Sequence, residues 1–203
     1  YLNRSYGMSV QFVAHALSYT LGKGSISLKG KRQRPWLEIS RYEIDRTYLD
    51  HQLRVLKQYH DGPIDYVWDR LPTDGFYDKE RFRFQGELLW RVYELLYPKD
   101  KKAISREVLN IAGLKGATAL WIDQGRVIGK KGSIRGRFSE NDYIELESWF
   151  NDLDIPAKIH RNNVGIVQLS FKKDSLEQLT KLLRPMVHLT MKKTLRQRIS
   201  NFR

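Results

Sequence analysis

The sequence predicts an α+β fold built from two tandem repeats related by a pseudo-twofold axis, each running helix, strand, strand, helix, strand, strand, helix (αββαββα). Three observations predict it. Two seams about a hundred residues apart, Leu21-Gly22-Lys23-Gly24-Ser25 and Trp121-Ile122-Asp123-Gln124-Gly125, each close an apolar helix-like run and open an alternating, strand-like one. The same order of elements follows both seams, and both first hairpins carry a basic tip. The repeats also end alike, with Leu95-Leu96-Tyr97-Pro98 in one and Leu182-Leu183-Arg184-Pro185 in the other.

Residues 10–21 and 117–122 are apolar on more than one side, and the small residues Ser18, Gly22, Ala117 and Ala119 allow close backbone approach. Two buried helices packed on each other are therefore expected, with Lys23 and Gln124 emerging together at the end of their interface. In the first repeat, strands over 25–29 and 36–41 flank a basic tip containing Lys29, Lys31, Arg32 and Arg34. Tyr48, Leu49, Leu53, Leu56 and Tyr59 recur at helical spacing and stop before Gly62-Pro63. Strands over 64–71 and 81–85 and a helix over 88–96, halted by Pro98, complete the unit.

The second repeat places strands over 125–128 and 133–138 around Gly129-Lys130-Lys131-Gly132. A helix marked by Tyr143, Leu146, Phe150 and Leu153 follows, then strands over 157–160 and 164–171 and a helix over 175–183. The expected units are 1–98, 99–187 and a basic tail over 188–203, with Leu195, Ile199 and Phe202 on one helix face. The charged stretch 99–102 reads as an exposed linker.

With 203 residues and 41% hydrophobic content, the chain has enough apolar surface for a real core. Lys+Arg of 36 against Asp+Glu of 23 gives a net charge of +13, which points to a polyanionic partner. No run approaches the roughly 18 to 20 apolar residues that cross a bilayer. The absence of cysteine excludes disulfides, thiolate nucleophiles and cysteine-ligated zinc.

Period-two alternation sends Arg81, Arg83 and Gln85 to one sheet face and Phe82 and Phe84 to the core, and likewise separates Arg135 and Arg137 from Ile134 and Phe138. Together with Lys29, Lys31, Arg32, Arg34, Arg41, Arg126, Lys130, Lys131, Lys158 and Arg161 they form the candidate nucleic-acid-binding set. Acidic residues such as Asp142, Glu145 and Glu147 fall on helices, so charge is expected to segregate by face. None of the five histidines is paired at metal-binding spacing, and His15 reads as a packed residue.

The two seams, with the Tyr97-Pro98-Lys99 junction and the closing His188-Leu189-Thr190-Met191-Lys192, resemble the single-chain, two-repeat LAGLIDADG homing endonucleases and their maturase relatives. The nine motif positions fall on 16–24 and 117–125, and the resemblance spans about residues 8–195. It implies saddle-shaped antiparallel sheets whose concave faces lie along a duplex. In active members the residue before each closing glycine is acidic and holds divalent metal. Here those positions are Lys23 and Gln124. A protonated ammonium has no lone pair to offer, and a neutral amide oxygen is a weak ligand. Asp123, one residue earlier, points about 100° away on a helix.

The resemblance therefore implies a catalytically inactive nucleic-acid-binding protein with no catalytic residue, no metal and no cofactor. Structured RNA is the favoured partner, bound as an intron splicing cofactor or as a ribonucleoprotein or ribosome component. The alternative is DNA binding, or a metal-dependent homing endonuclease that retains nicking or cleavage of double-stranded DNA, with Mg2+ held through Asp123, a glutamate or backbone oxygens. A purely structural protein whose basic face meets an acidic protein is a third reading. Internal pseudo-symmetry implies a monomer, alone or within a larger ribonucleoprotein, with no membrane partner. A mitochondrial or chloroplast setting is expected, otherwise a prokaryotic cytoplasm.

Overall fold

The computed structural model describes residues 2–30, 34–60, 65–71, 79–161 and 165–192. Lys31, Arg32 and the tail beyond Lys192 lie outside them. Helices α1 (Leu2–Leu21) and α4 (Arg106–Gln124) form the central pair. Strands β1 (Ser25–Lys29), β2 (Arg34–Tyr42), β3 (Asp65–Leu71) and β4 (Lys79–Gln85) form an antiparallel sheet in the order β1-β2-β4-β3. Strands β5 (Gly125–Ile128), β6 (Lys131–Ile134), β7 (Ala157–Arg161) and β8 (Val167–Phe171) repeat that topology as β5-β6-β8-β7. The shared strand order is the structural form of the sequence duplication.

Each sheet buries one face, as its alternation requires. Ile26, Leu37, Ile39, Phe82 and Phe84 are fully or almost fully buried with Phe12 and Leu17 of α1. Helices α2 (Arg46–Tyr59) and α3 (Leu89–Leu96) close this half through Tyr48, Leu49, Leu53 and Leu56 and through Leu89, Val92 and Leu96. In the second half, Ile134, Leu169 and Phe171 meet Trp121 of α4 and the stripes of α5 (Glu140–Asp152) and α6 (Lys173–Leu183). Among the described residues no helix is long and apolar enough to cross a membrane.

Three local features depart from the expectations. Helix α4 begins eleven residues before 117, capped by Ser105, whose hydroxyl accepts the Val108 N–H at 3.3 Å. It is interrupted at Gly113, where φ of 53° and ψ of −147° suit a residue without a Cβ. Strand β6 stops at Ile134 instead of reaching 138, because the next residues turn into the start of α5. The Tyr143 hydroxyl bonds both backbone groups of Gly136, and Phe138 packs edge-on against the Tyr143 ring.

The linker is likewise not wholly exposed. Lys102 is half-buried and donates to the Thr20 carbonyl at 3.0 Å, near the end of α1. Cations there complement the helix dipole. Burial pushes its ammonium below the ordinary lysine range, partly offset by the charge of Asp142. Asp142 is not a solvated helix acid either. It is buried, accepting the Ser139 N–H at 2.7 Å in a capping box and the Ile104 N–H at 2.6 Å. Its carboxylate thereby ties α5 to the chain entering α4.

Candidate nucleic-acid interface

The two seams meet at the end of the α1–α4 pair. The Lys23 backbone N–H donates to the Asp123 carboxylate at 2.9 Å, and the Gln124 amide donates to the Gly22 carbonyl at 3.3 Å. Contact this close needs Gly22, because any Cβ there would overlap the Asp123 carboxylate. Ser18 is similarly committed, donating to Ala14 O of its own helix at 2.6 Å and lying 3.5 Å from Ala112 O across the interface. The small residues thus permit the approach, and polar groups fix its register.

Arg41 was expected on the outward, nucleic-acid-facing side of β2, and the structure corrects this. Its side chain is 1% exposed. Its two terminal nitrogens bond the two Asp123 oxygens at 2.8 and 3.2 Å, and Nε donates to Gln52 Oε1 at 2.9 Å. The guanidinium also lies 4.5 Å from the centre of the Tyr48 ring. The physical reason is register. Arg41 shares parity with Leu37 and Ile39, so β2 turns it to the buried face, where Asp123 supplies the opposite charge a desolvated guanidinium requires.

The floor beneath the seams therefore carries one paired carboxylate, an ammonium and an amide. Asp123 offers two oxygens, one receiving a guanidinium N–H and the other a guanidinium N–H plus a backbone N–H. Lys23 is exposed and reaches over the Tyr42 ring at 5.8 Å, with Lys79 at 5.0 Å from the same ring. Among the described residues no group of three His, Cys, Asp or Glu side chains is placed to hold a metal ion. A divalent cation would have to displace Arg41 from Asp123 next to the Lys23 ammonium, so these residues do not fit one.

The outward faces of the sheets differ from each other. On the first, strand register brings Lys29, Arg34, Glu38, Arg81, Arg83, Gln85 and Asp69 to the same side. Arg81 Nε donates to Asp69 at 2.8 Å and its Nη1 to Glu38 at 3.2 Å, while Arg83 reaches Asp69 at 3.3 Å and Lys29 reaches Glu38 at 3.3 Å. The hydrogen bond from Arg81 holds the Asp69 carboxyl below the usual carboxylate range and pushes the guanidinium still higher. Charge is therefore not segregated as the sequence suggested; among the described side chains, the carboxylates of Glu38 and Asp69 lie within the basic face. Trp36 and Tyr42, also outward, add aromatic surface there.

On the second sheet, Arg126, Lys131, Ser133, Ser170, Lys158, His160 and Gln168 share the outward side, and among these described residues there is no carboxylate. Arg126, Lys131 and Lys158 are exposed. Arg135 and Arg137 are exposed too but lie beyond the end of β6, and Lys130 sits at the hairpin tip beside α6. Arg161 lies off the outward row and pairs with Glu140 at 2.8 Å. Sequence reasoning missed Asp69 and Glu38 as partners of the arginines. Their odd-even match to Arg81 and Arg83 becomes meaningful only once strands β2, β3 and β4 are known to be neighbours.

No protein-family model matches the chain, and no curated protein sequence matches it. Solved structures do share its fold. The homing endonuclease I-WcaI bound to its DNA recognition sequence superposes with a TM-score of 0.70 at 16% identity, covering 93% of this chain and 85% of that one. I-DmoI in complex with DNA and Mn gives 0.61 at 15% identity, covering 89% and 99%. The N-terminal LAGLIDADG domain of DUF199/WhiA gives 0.51 at 12% identity, covering 91% and 87%.

Proposed function

We propose that this chain binds nucleic acid across the outward faces of its two sheets without metal-dependent cleavage. It has the LAGLIDADG homing endonuclease fold, and two of the solved structures with that fold are bound to DNA. The observation that carries the second half of the reading is the floor. The carboxylate left there, Asp123, is saturated by Arg41 and the Lys23 backbone. The two-carboxylate arrangement that would clamp metal against a scissile phosphate is replaced by a buried ion pair, an ammonium and an amide.

Structured RNA is the favoured ligand, as an intron splicing cofactor or ribonucleoprotein component. Tyr42 is 40% exposed and lies near two lysine ammoniums, which suits stacking of an unpaired base beside its phosphate. Duplex DNA is the second reading, supported by the DNA in the neighbouring structures. Binding requires no cofactor.

The test is competition binding in EDTA between a structured RNA pool and duplex DNA, alongside incubation of supercoiled DNA with Mg2+ or Mn2+. Tight binding in EDTA, preference for RNA and intact plasmid are expected. Metal-dependent cuts abolished by Asp123→Ala would overturn the non-cleaving reading. Equal or tighter binding to duplex DNA would overturn the RNA preference.

A further inference from the structure

A cavity of about 370 Å3 lies between α1, α2, α4 and the segment 184–192 that follows α6. Its polar lining is made almost entirely of potential donors. Each of three separate elements contributes an imidazole, His15 from α1, His51 from α2 and His188 from the closing segment. Lys115 and Lys192 add ammonium groups, and no carboxylate is among the lining residues. Tyr19 and Tyr48 are 7% and 8% exposed, yet their hydroxyls bond no protein group among the described residues.

The remaining hydrogen bonds settle what these groups have to offer. His188 Nδ1 lies 2.8 Å from Thr190 Oγ1 and 3.4 Å from the Thr190 N–H, which it accepts, so the neutral ring carries its proton on Nε2. Lys115 donates one of its protons to Gln11 Oε1 at 2.6 Å and keeps the others. His51 stacks on His188 with ring centres 4.0 Å apart, beside Tyr48. The wall is thus flat and aromatic on one side and rich in donors throughout.

We propose that this cavity binds a phosphate monoester carried by a single nucleotide, either a free mononucleotide or the terminal residue of a bound strand. Its volume lies near the small end of the range for small-molecule sites and excludes a duplex. A dianion suits clustered donors with no carboxylate among them, and the aromatic wall suits a base.

The charges around each imidazole give the proposal a direct signature. Burial, then Lys115 and His51, bring His15 down to about 4. Burial, then His188 and Arg54, lower His51 against the opposing pull of Asp50, and burial with Arg54 lowers His188. A bound dianion favours the protonated form of all three, so their pKa values rise on binding and affinity grows as pH falls.

The experiment is a histidine-resolved NMR titration of the full chain with adenosine monophosphate, with inorganic phosphate and adenosine as separate arms. The expected result is saturable shifts at His15, His51 and His188, a rise of about one unit or more in their pKa values, and no such change at His160 or with adenosine. Tyr48→Phe combined with Lys115→Met is expected to weaken the nucleotide at least about tenfold. A 5′-phosphorylated oligonucleotide that shifts the three signals more than its 5′-hydroxyl form identifies the strand terminus as the source; equal shifts with a stronger mononucleotide response identify the free nucleotide. Arg126→Ala with Lys158→Ala weakens strand binding but not mononucleotide binding, which separates this site from the sheet faces. Unshifted imidazoles at about 10 mM nucleotide, far above a useful affinity, or shifts untouched by the double substitution, would overturn it.

Discussion

Arg41 and Asp123, 82 positions apart in the chain, form a two-pronged ion pair with side-chain exposures of 1% and 2%. It joins β2 of the first repeat to the end of α4 of the second, at the place where the two motif helices finish. A buried pair of this kind adds little over well-packed apolar groups, but loss of one partner strands a charge.

Arg41→Met or Asp123→Leu alone is expected to destabilise the fold by about 3–5 kcal/mol. The two together should recover much of that loss. Urea unfolding of the three variants checks it, and additive losses would show that the residues act independently.

Lys23→Asp with Gln124→Asp is expected to leave supercoiled DNA uncut in Mg2+. The Arg41 guanidinium still occupies Asp123 in that variant, and the cation charge it brings opposes a metal at the floor. Plasmid nicking by the double variant would show that the two seam positions alone control cleavage.

The two sheet faces should differ in salt dependence. Arg126→Ala with Lys158→Ala removes cations that have no carboxylate beside them on the outward row, so the slope of log affinity against log salt should fall by about two. Arg81→Ala with Arg83→Ala should change the slope less, because Asp69 and Glu38 already neutralise these groups. Binding measured from low to moderate salt decides between them.

Gly22→Ala should cost about 1–3 kcal/mol, because the new methyl overlaps Asp123 and the helices must separate. Gly7→Ala on the same helix meets nothing within 4 Å and should be neutral or stabilising by up to about 1 kcal/mol. Thermal or urea unfolding of the pair measures the contrast.

His15 sits near a pKa of 4, below its unfolded value of 6.5. Its neutral form is favoured by folding, so its stabilising contribution is complete above pH 6.5 and is lost as pH falls toward 4. His15→Phe keeps a ring against Tyr59 and should flatten the dependence of melting temperature on pH across that interval. An unchanged slope would place the titration elsewhere.

The repeat, the order of its elements and the placing of Lys23 and Gln124 at matched seam positions are legible along the chain, because helix and strand periods and the seam glycines are local patterns. So are the core positions Phe82 and Phe84, set by strand alternation. Strand β6 ends at Ile134, before its alternation does, because Tyr143 and Phe138 turn the chain there. Arg41 reads as a surface cation by residue type, but it shares parity with Leu37 and Ile39 and so turns to the buried face.

The sequence by itself therefore determined the duplicated architecture and the presence of a lysine and a glutamine at the two seam ends. Only the tertiary structure decided where the charges go. Asp123 is paired to Arg41, Asp69 and Glu38 are threaded through the first basic face, and three histidines from distant elements share one cavity. Partner choice among charges depends on distance in space and on exclusion of water, and neither is written in the spacing of residues along the chain.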